Sequence, residues 1–185
     1  MGEQLAPSRE DILDLVRKYY EEVKTKLPPN KVPASGKVFD SDELVNAVCA
    51  VLDCWWTEGE FNSKFERKLS AYVGTRFALT VNSGSSANLV AFYTLTSRKL
   101  GDKRIKQGDE VITVAAAFPT TVNPIIQFGA VPVFVDVESG TYNVNADLIE
   151  DAITEKTKAV FLAHTLGNPF DLAKVKKSRM NTTSG

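Results

Sequence analysis

Histidine is almost missing from this chain: His164 is the only one among 185 residues, beside two cysteines, two methionines and two tryptophans. Cys49 and Cys54 are too few for a disulfide framework. Five positions apart on an expected helix, they do not share a face as a metal pair would, so two buried, reduced thiols of a cytosolic protein are expected. Charge of one sign is also lacking. Lys and Arg number 22 against 23 Asp and Glu, and a net charge of -1 leaves nothing to neutralise a phosphate backbone, which argues against a nucleic-acid reader. The opening MGEQLAPSRED has no apolar stretch of the kind a signal peptide needs, and Ala6 stands where a myristoylation motif after Gly2 wants Ser or Thr. Residues 111–135 carry no charge, but Pro119, Pro124, Pro132 and Gly129 divide them into pieces too short to span a bilayer. They read as buried strand, helix and strand, so no membrane partner and a cytoplasmic location are expected.

What is present is ordinary globular material, 43% apolar and 24% charged, which excludes collagen-like and fully disordered classes. A helix is expected over 8–24, with Ser8 and Asp11 in a capping-box pattern and Ile12, Val16, Tyr19 and Val23 at helical spacing. LPPNKVPASGK (27–37) reads as an extended connector. A second helix opens at the Asp40 and Glu43 signal, with Leu44, Val48, Val51, Leu52 and Trp55 as its stripe, and a third carries Phe61, Phe65, Leu69 and Tyr72 up to Gly74. From Phe77 the pattern becomes strand and helix in alternation: strands at 77–81, 110–114, 131–137 and 158–164, with helices at 89–100, before Gly129 and from Ala146 to Ile153. That alternation predicts an α/β fold with a mostly parallel sheet and helices on both faces, and ligands at the carboxyl ends of its strands.

The loops to inspect are therefore 82–88, 115–121 and 164–170. In the first, Gly84, Ser85 and Ser86 stand between a strand and a helix, where glycine permits close approach and free N–H groups with hydroxyls can hold a phosphate. A serine turn that merely caps a helix has the same appearance, and neither a Walker loop nor a GxGxxG fingerprint is present. In the second, Phe118 is either a face for a planar ring or a core phenylalanine. In the third, His164 sits at a strand end with no identifiable Ser or Cys nucleophile beside it, so either a structural role or a catalytic one is open.

The order GDEVITV, AAAFPTTVNPIIQFGAVPVFVDV, TYNV and KTKAVFLAHTLGNPFDL resembles the DegT/DnrJ/EryC1/StrS family of sugar-modifying enzymes. PASGKVFDSDEL, LDCWWTEGEFNSKFERKL, TVNSGSSANLVAFYTLTS and AHTLGNPFDL are similar to the 3-dehydratase branch of that family, over roughly residues 33–176. The resemblance implies a fold-type-I large domain built around pyridoxal or pyridoxamine phosphate. It puts Gly84, Ser85 and Ser86 at the cofactor phosphate, Phe118 on the pyridine ring and His164 at the pocket wall, with none of them the catalytic base. It further implies C3 dehydration of CDP-4-keto-6-deoxyglucose in 3,6-dideoxyhexose (O-antigen) biosynthesis, a homodimer, and a flavin iron–sulfur reductase that feeds electrons through a [2Fe–2S] cluster.

The downstream aspartate, histidine and cluster cysteines of that family have no counterpart in this sequence, since Cys49 and Cys54 lie too early to be cluster ligands. The expected organisation is 1–57 as N-terminal helices and connector, 58–177 as the first half of the large domain, and 178–185 as a tail outside the family pattern. On this reading the chain is an inactive N-terminal fragment. A sugar aminotransferase of the same family, a non-catalytic truncated product, and an unrelated nucleotide-binding α/β domain are the alternatives.

Overall fold

The computed structural model describes residues 6–24, 30–32 and 36–181. The segment around Gly2, most of the connector 27–37 and the last four residues lie outside the described residues. The chain divides into two compact units, 1–80 and 81–185.

In the first unit, α1 (Arg9–Val23) and α2 (Ser41–Leu52) both open with the expected capping boxes, Ser8 with Asp11 and Asp40 with Glu43. The two helices pack on one another. Arg9 bonds the Asp53 carboxylate at 2.7 Å and the Cys49 carbonyl at 3.1 Å, which joins the start of α1 to the end of α2. Helix α2 stops at Leu52, so Trp55 is off the stripe where periodicity put it and Cys54 lies outside the helix expected to carry it. Cys54 adopts φ 53, a left-handed conformation that ends a helix. Neither cysteine forms a disulfide, but Cys49 is half-buried and Cys54 exposed, which corrects the expectation of two buried thiols.

Helix α3 (Glu60–Val73) ends on Gly74 at φ 72, as its position suggested. The segment 77–81 that follows has no regular secondary structure and joins no sheet among the described residues. Its apolar side chains Phe77 and Leu79 are exposed, and a strand without a ladder partner is only a stretched loop. Glu66 holds it instead. One carboxylate oxygen accepts the Thr80 N–H at 2.7 Å and the Thr80 hydroxyl at 2.9 Å. The Thr80 N–H first, and then its hydroxyl, keep the Glu66 carboxyl below the ordinary glutamate range.

The second unit is a three-stranded parallel sheet in the order β2-β1-β3, with β1 at Glu110–Val114, β2 at Val131–Val135 and β3 at Thr157–Val160. Alternation along β1 divides the core. Val111 faces Phe92, Ile125 and Phe128 of α4 (Gly84–Leu95) and α5 (Pro119–Phe128). Ile112 and Val114 face Ile149 of α6 (Asp147–Asp151) and Val175 of α7 (Leu172–Asn181). Helices thus cover both faces, as expected of a parallel sheet. Thr113, on the Val111 side by the same alternation, is fully buried, and its hydroxyl has no hydrogen-bond partner among the described residues.

Four details depart from the pattern-based reading. Helix α4 begins at Gly84 and ends at Leu95, rather than spanning 89–100. Strand β2 stops at Val135, and β3 stops at Val160 although the Phe161 N–H still reaches the Ile112 carbonyl at 2.9 Å. The uncharged stretch 111–135 is not wholly buried, because Phe118, Ile126, Val131 and Phe134 are exposed; β2 is an edge strand. Residues 178–181, expected as tail, continue α7. No helix among the described residues is long and apolar enough to cross a membrane.

Candidate functional site

The sheet order brings the candidate residues to one edge. From β1 the chain passes through α5 to β2 on one side, then crosses through α6 to β3 on the other. The loops leaving the carboxyl ends of β1 and β3 therefore diverge, and the crevice between such loops is where open α/β sheets take ligands. Phe118 lies in the first of these loops and His164 in the second.

Gly84, Ser85 and Ser86 are not a loop before a helix but the first turn of α4 itself. Ser83 is the N-cap, and its hydroxyl accepts the Ser86 N–H at 3.1 Å. The Ala87 N–H returns to the Ser83 carbonyl at 3.0 Å. Among the described residues, no protein acceptor takes the N–H of Gly84 or Ser85, and the Ser85 hydroxyl has no partner. Uncommitted donors at the positive end of a twelve-residue helix suit an anion. Gly84 does not serve a left-handed turn. Its Cα instead faces open space, with nothing within 4 Å of where a Cβ would stand.

Helix α4 lies against α5 so that their N-terminal turns meet. The Asn88 side chain donates to the Thr120 carbonyl at 3.4 Å, and Ser85 and Ser86 share a groove of about 190 Å³ with Thr120, Asn123 and Gln127. Phe118 is the N-cap residue of α5, directly before Pro119. Its side chain caps nothing and is 72% exposed, so it is not a core residue. A bare aromatic face two residues before Thr120, and free donors at the helix start across the groove from Thr120, are groups that a planar, phosphorylated cofactor could use.

His164 is exposed, follows the end of β3, and leads into a single 3₁₀ turn over Thr165–Gly167. Its Nδ1 accepts the Phe170 N–H at 3.4 Å, and the two rings lie 4.4 Å apart at 32°. No contact ties it to Ser85, Ser86 or Phe118; it shares only the carboxyl edge of the sheet with them. The residues that pattern reading missed are Thr120 and Asn123, on the second wall of the groove, and Asn143, which holds the His164 turn from below. Asn143 had one signal, a polar amide set between Tyr142 and Val144 where the chain re-enters the core.

Residues 39–182 match the DegT/DnrJ/EryC1/StrS aminotransferase family. The lipopolysaccharide biosynthesis protein RfbH of Salmonella typhimurium is 54% identical over 173 residues, which cover 91% of this chain and 40% of that protein. The dTDP-4-dehydro-2,6-dideoxy-D-glucose 3-dehydratase of Saccharopolyspora spinosa is 46% identical over 95% of this chain and 39% of its own length. Among solved structures, a GDP-4-keto-6-deoxymannose-3-dehydratase with a trapped PLP-glutamate geminal diamine superposes with a TM-score of 0.73 at 33% identity, covering 80% of this chain and 38% of that one. The chain thus spans about two-fifths of the length of the curated relatives it matches. A sheet wound as in the fold-type-I enzymes, with the family match running from Phe39 to beyond α7, makes this chain a member of the DegT/DnrJ/EryC1/StrS aminotransferase family.

Proposed function

We propose that this segment supplies the phosphate-binding and ring-stacking part of a pyridoxamine or pyridoxal phosphate site in a nucleotide-sugar 3-dehydratase. The observation that carries the reading is the meeting of two helix N-termini, one with free N–H groups and the Ser85 hydroxyl, the other headed by exposed Phe118. The Gly84 and Ser85 N–H groups and the Ser85 hydroxyl hold the phosphate, Ser86 stands beside them, Phe118 lies on the ring, and His164 forms part of the wall. When bound, such a cofactor supplies an electron sink for cleavage next to the sugar's keto carbon. This chain's own residues anchor and orient it and exclude water from one ring face.

The substrate we assign is CDP-4-keto-6-deoxyglucose, dehydrated at its C3 carbon for O-antigen dideoxysugars in the cytoplasm. It rests on the SGSSAN and AHTLGN segments and on the 54% identity to a lipopolysaccharide biosynthesis protein. A homodimer, a [2Fe–2S] cluster and a flavin iron–sulfur reductase complete the proposal. Residues outside this sequence carry the cluster and the catalytic base, so the 185-residue chain alone turns over no substrate. A second reading, a sugar aminotransferase, is favoured by one likeness: a putative sugar aminotransferase of Streptococcus pneumoniae in its PLP form, 29% identical with a TM-score of 0.68.

The test is a chimera in which residues 39–176 replace the matching part of the full-length Salmonella relative. The chimera is expected to bind pyridoxamine phosphate and, with the reductase, to remove the C3 hydroxyl of the CDP-4-keto sugar, read by mass. Ser85→Ala in it is expected to weaken cofactor binding by about 1.5–3 kcal/mol through loss of a charge-assisted hydrogen bond. An unchanged cofactor dissociation constant would remove Ser85 from the site, and amino transfer in place of dehydration would decide for the second reading. Turnover by the 185-residue chain without the rest of the enzyme would mean that His164 or another residue here is the base.

A further inference from the structure

Asn143 is 4% exposed, and a buried side-chain amide persists only where its partners are arranged for it. Its Oδ1 accepts the Thr165 N–H at 3.0 Å and its Nδ2 donates to the Asn168 carbonyl at 3.0 Å. A flipped amide would set N–H against N–H and oxygen against oxygen, so the pair of bonds fixes the orientation. The Thr165 hydroxyl adds a bond to the Tyr142 carbonyl at 3.0 Å. The turn so gripped is one that local preference does not choose. Leu166 stands at φ 54 and Gly167 at φ 80, and Leu166 is 96% exposed, so packing does not compensate its left-handed backbone.

His164 enters that turn directly, with the Gly167 N–H on its carbonyl at 3.1 Å. Its ring lies on Phe170, which packs against the Ile112 and Ile149 cluster. Because Nδ1 accepts the Phe170 N–H, the proton of the neutral ring belongs on Nε2. We propose that Asn143 is a positioning residue for this site: by gripping both ends of the Thr165–Asn168 turn, it presents His164 as the Nε2–H tautomer, a donor toward an oxygen acceptor on the bound ligand. The importance of that donor rests on the reading of His164 as part of the cofactor pocket, whereas the clamp itself does not.

The only histidine of the chain gives one imidazole signal, so long-range ¹H–¹⁵N correlations read this site alone. In the wild-type chain Nε2 is expected to be the protonated nitrogen, with ring protons shifted by the face of Phe170. Asn143→Leu removes both side-chain bonds of the clamp. Thr165→Pro loosens the clamp from the turn side, deleting the N–H held by Asn143 and the hydroxyl held by Tyr142 while the Asn143 bond to Asn168 stays, and His164 at ψ 99 tolerates a following proline. Each variant that keeps the Ile112 and Ile149 methyl signals is expected to lose the tautomer preference and the ring shift. A wild-type ring protonated on Nδ1, or averaged between nitrogens, overturns the proposal whether or not either variant folds. An unchanged His164 signal in a folded variant does the same. Pyridoxamine phosphate added to the wild-type chain separates the two readings: if His164 does not respond while the variants lose their tautomer preference, the cofactor role fails and the clamp stands.

Discussion

Phe118→Ala and Phe92→Ala remove the same side chain from opposite environments, and their comparison measures what Phe118 is for. An aromatic side chain carries about 150–250 Å². With 72% of Phe118 exposed, only about 40–70 Å² of it is out of water, which at about 25 cal/mol per Å² limits the loss to about 1–2 kcal/mol. Truncation there opens no internal cavity. Phe92 is fully buried, with edge contacts to Tyr93, Phe128 and Phe161 at ring separations of 6.2, 6.2 and 6.1 Å. Its truncation should cost about 3–5 kcal/mol. The assay pairs urea denaturation of each variant with a pyridoxamine phosphate titration in the chimera. Phe118→Ala is expected to lose cofactor affinity with a urea midpoint shift well below that of Phe92→Ala, while Phe118→Tyr and Phe118→Trp keep both. A midpoint shift in Phe118→Ala equal to that of Phe92→Ala, or an unaltered cofactor affinity, would refute the reasoning.

Ser83→Ala removes the cap of α4 and should destabilise the protein by about 0.5–2 kcal/mol, with faster amide exchange at Ser86 as the local sign. Thr113→Val replaces an orphaned buried hydroxyl with a methyl group of nearly the same shape; a gain of about 1–3 kcal/mol in thermal or urea stability is expected, and a loss would mean that the hydroxyl has a partner. The Glu66 carboxyl is depressed in the folded state, so its hold on Thr80 is present above the ordinary glutamate range and is lost as pH falls through the lowered folded value. Protection of the Thr80 amide should follow that profile, and Glu66→Gln should flatten it.

Local chemistry written in adjacent residues was legible in the sequence. The capping boxes at Ser8 and Asp40, and glycine at the end of α3 and α5, stand where their side chains or backbone freedom required them. What depended on distant partners was not. FALTV has the composition of a strand, but pairing is a property of two segments, and none of the described residues offers it a ladder. The helix placed at 89–100 begins five residues earlier because polar Ser85, Ser86 and Asn88 carry no apolar periodicity, although their donors are what an N-terminal turn exposes. Within the candidate site, Gly84 and Ser85 could be named from the Ser/Gly turn that opens a helix, and Phe118 from its place after β1. Asn143 had only its polar amide between Tyr142 and Val144 to mark it, and that does not name its partners Thr165 and Asn168, 22 and 25 positions away.

Helix α4 carries uncommitted donors on the first turn and Phe92, the most enclosed aromatic of the core, farther along the same rod. A ligand that grips the first turn engages only the folded chain, because the donors scatter when Phe92 leaves the core. Mass action then converts occupancy into persistence: a ligand present at a hundred times its dissociation constant adds about 2.7 kcal/mol to folding. In a cell, shifts of that size change how fast proteases remove a protein. If the proposed cofactor is that ligand, its supply would set the abundance of the protein as well as its occupancy.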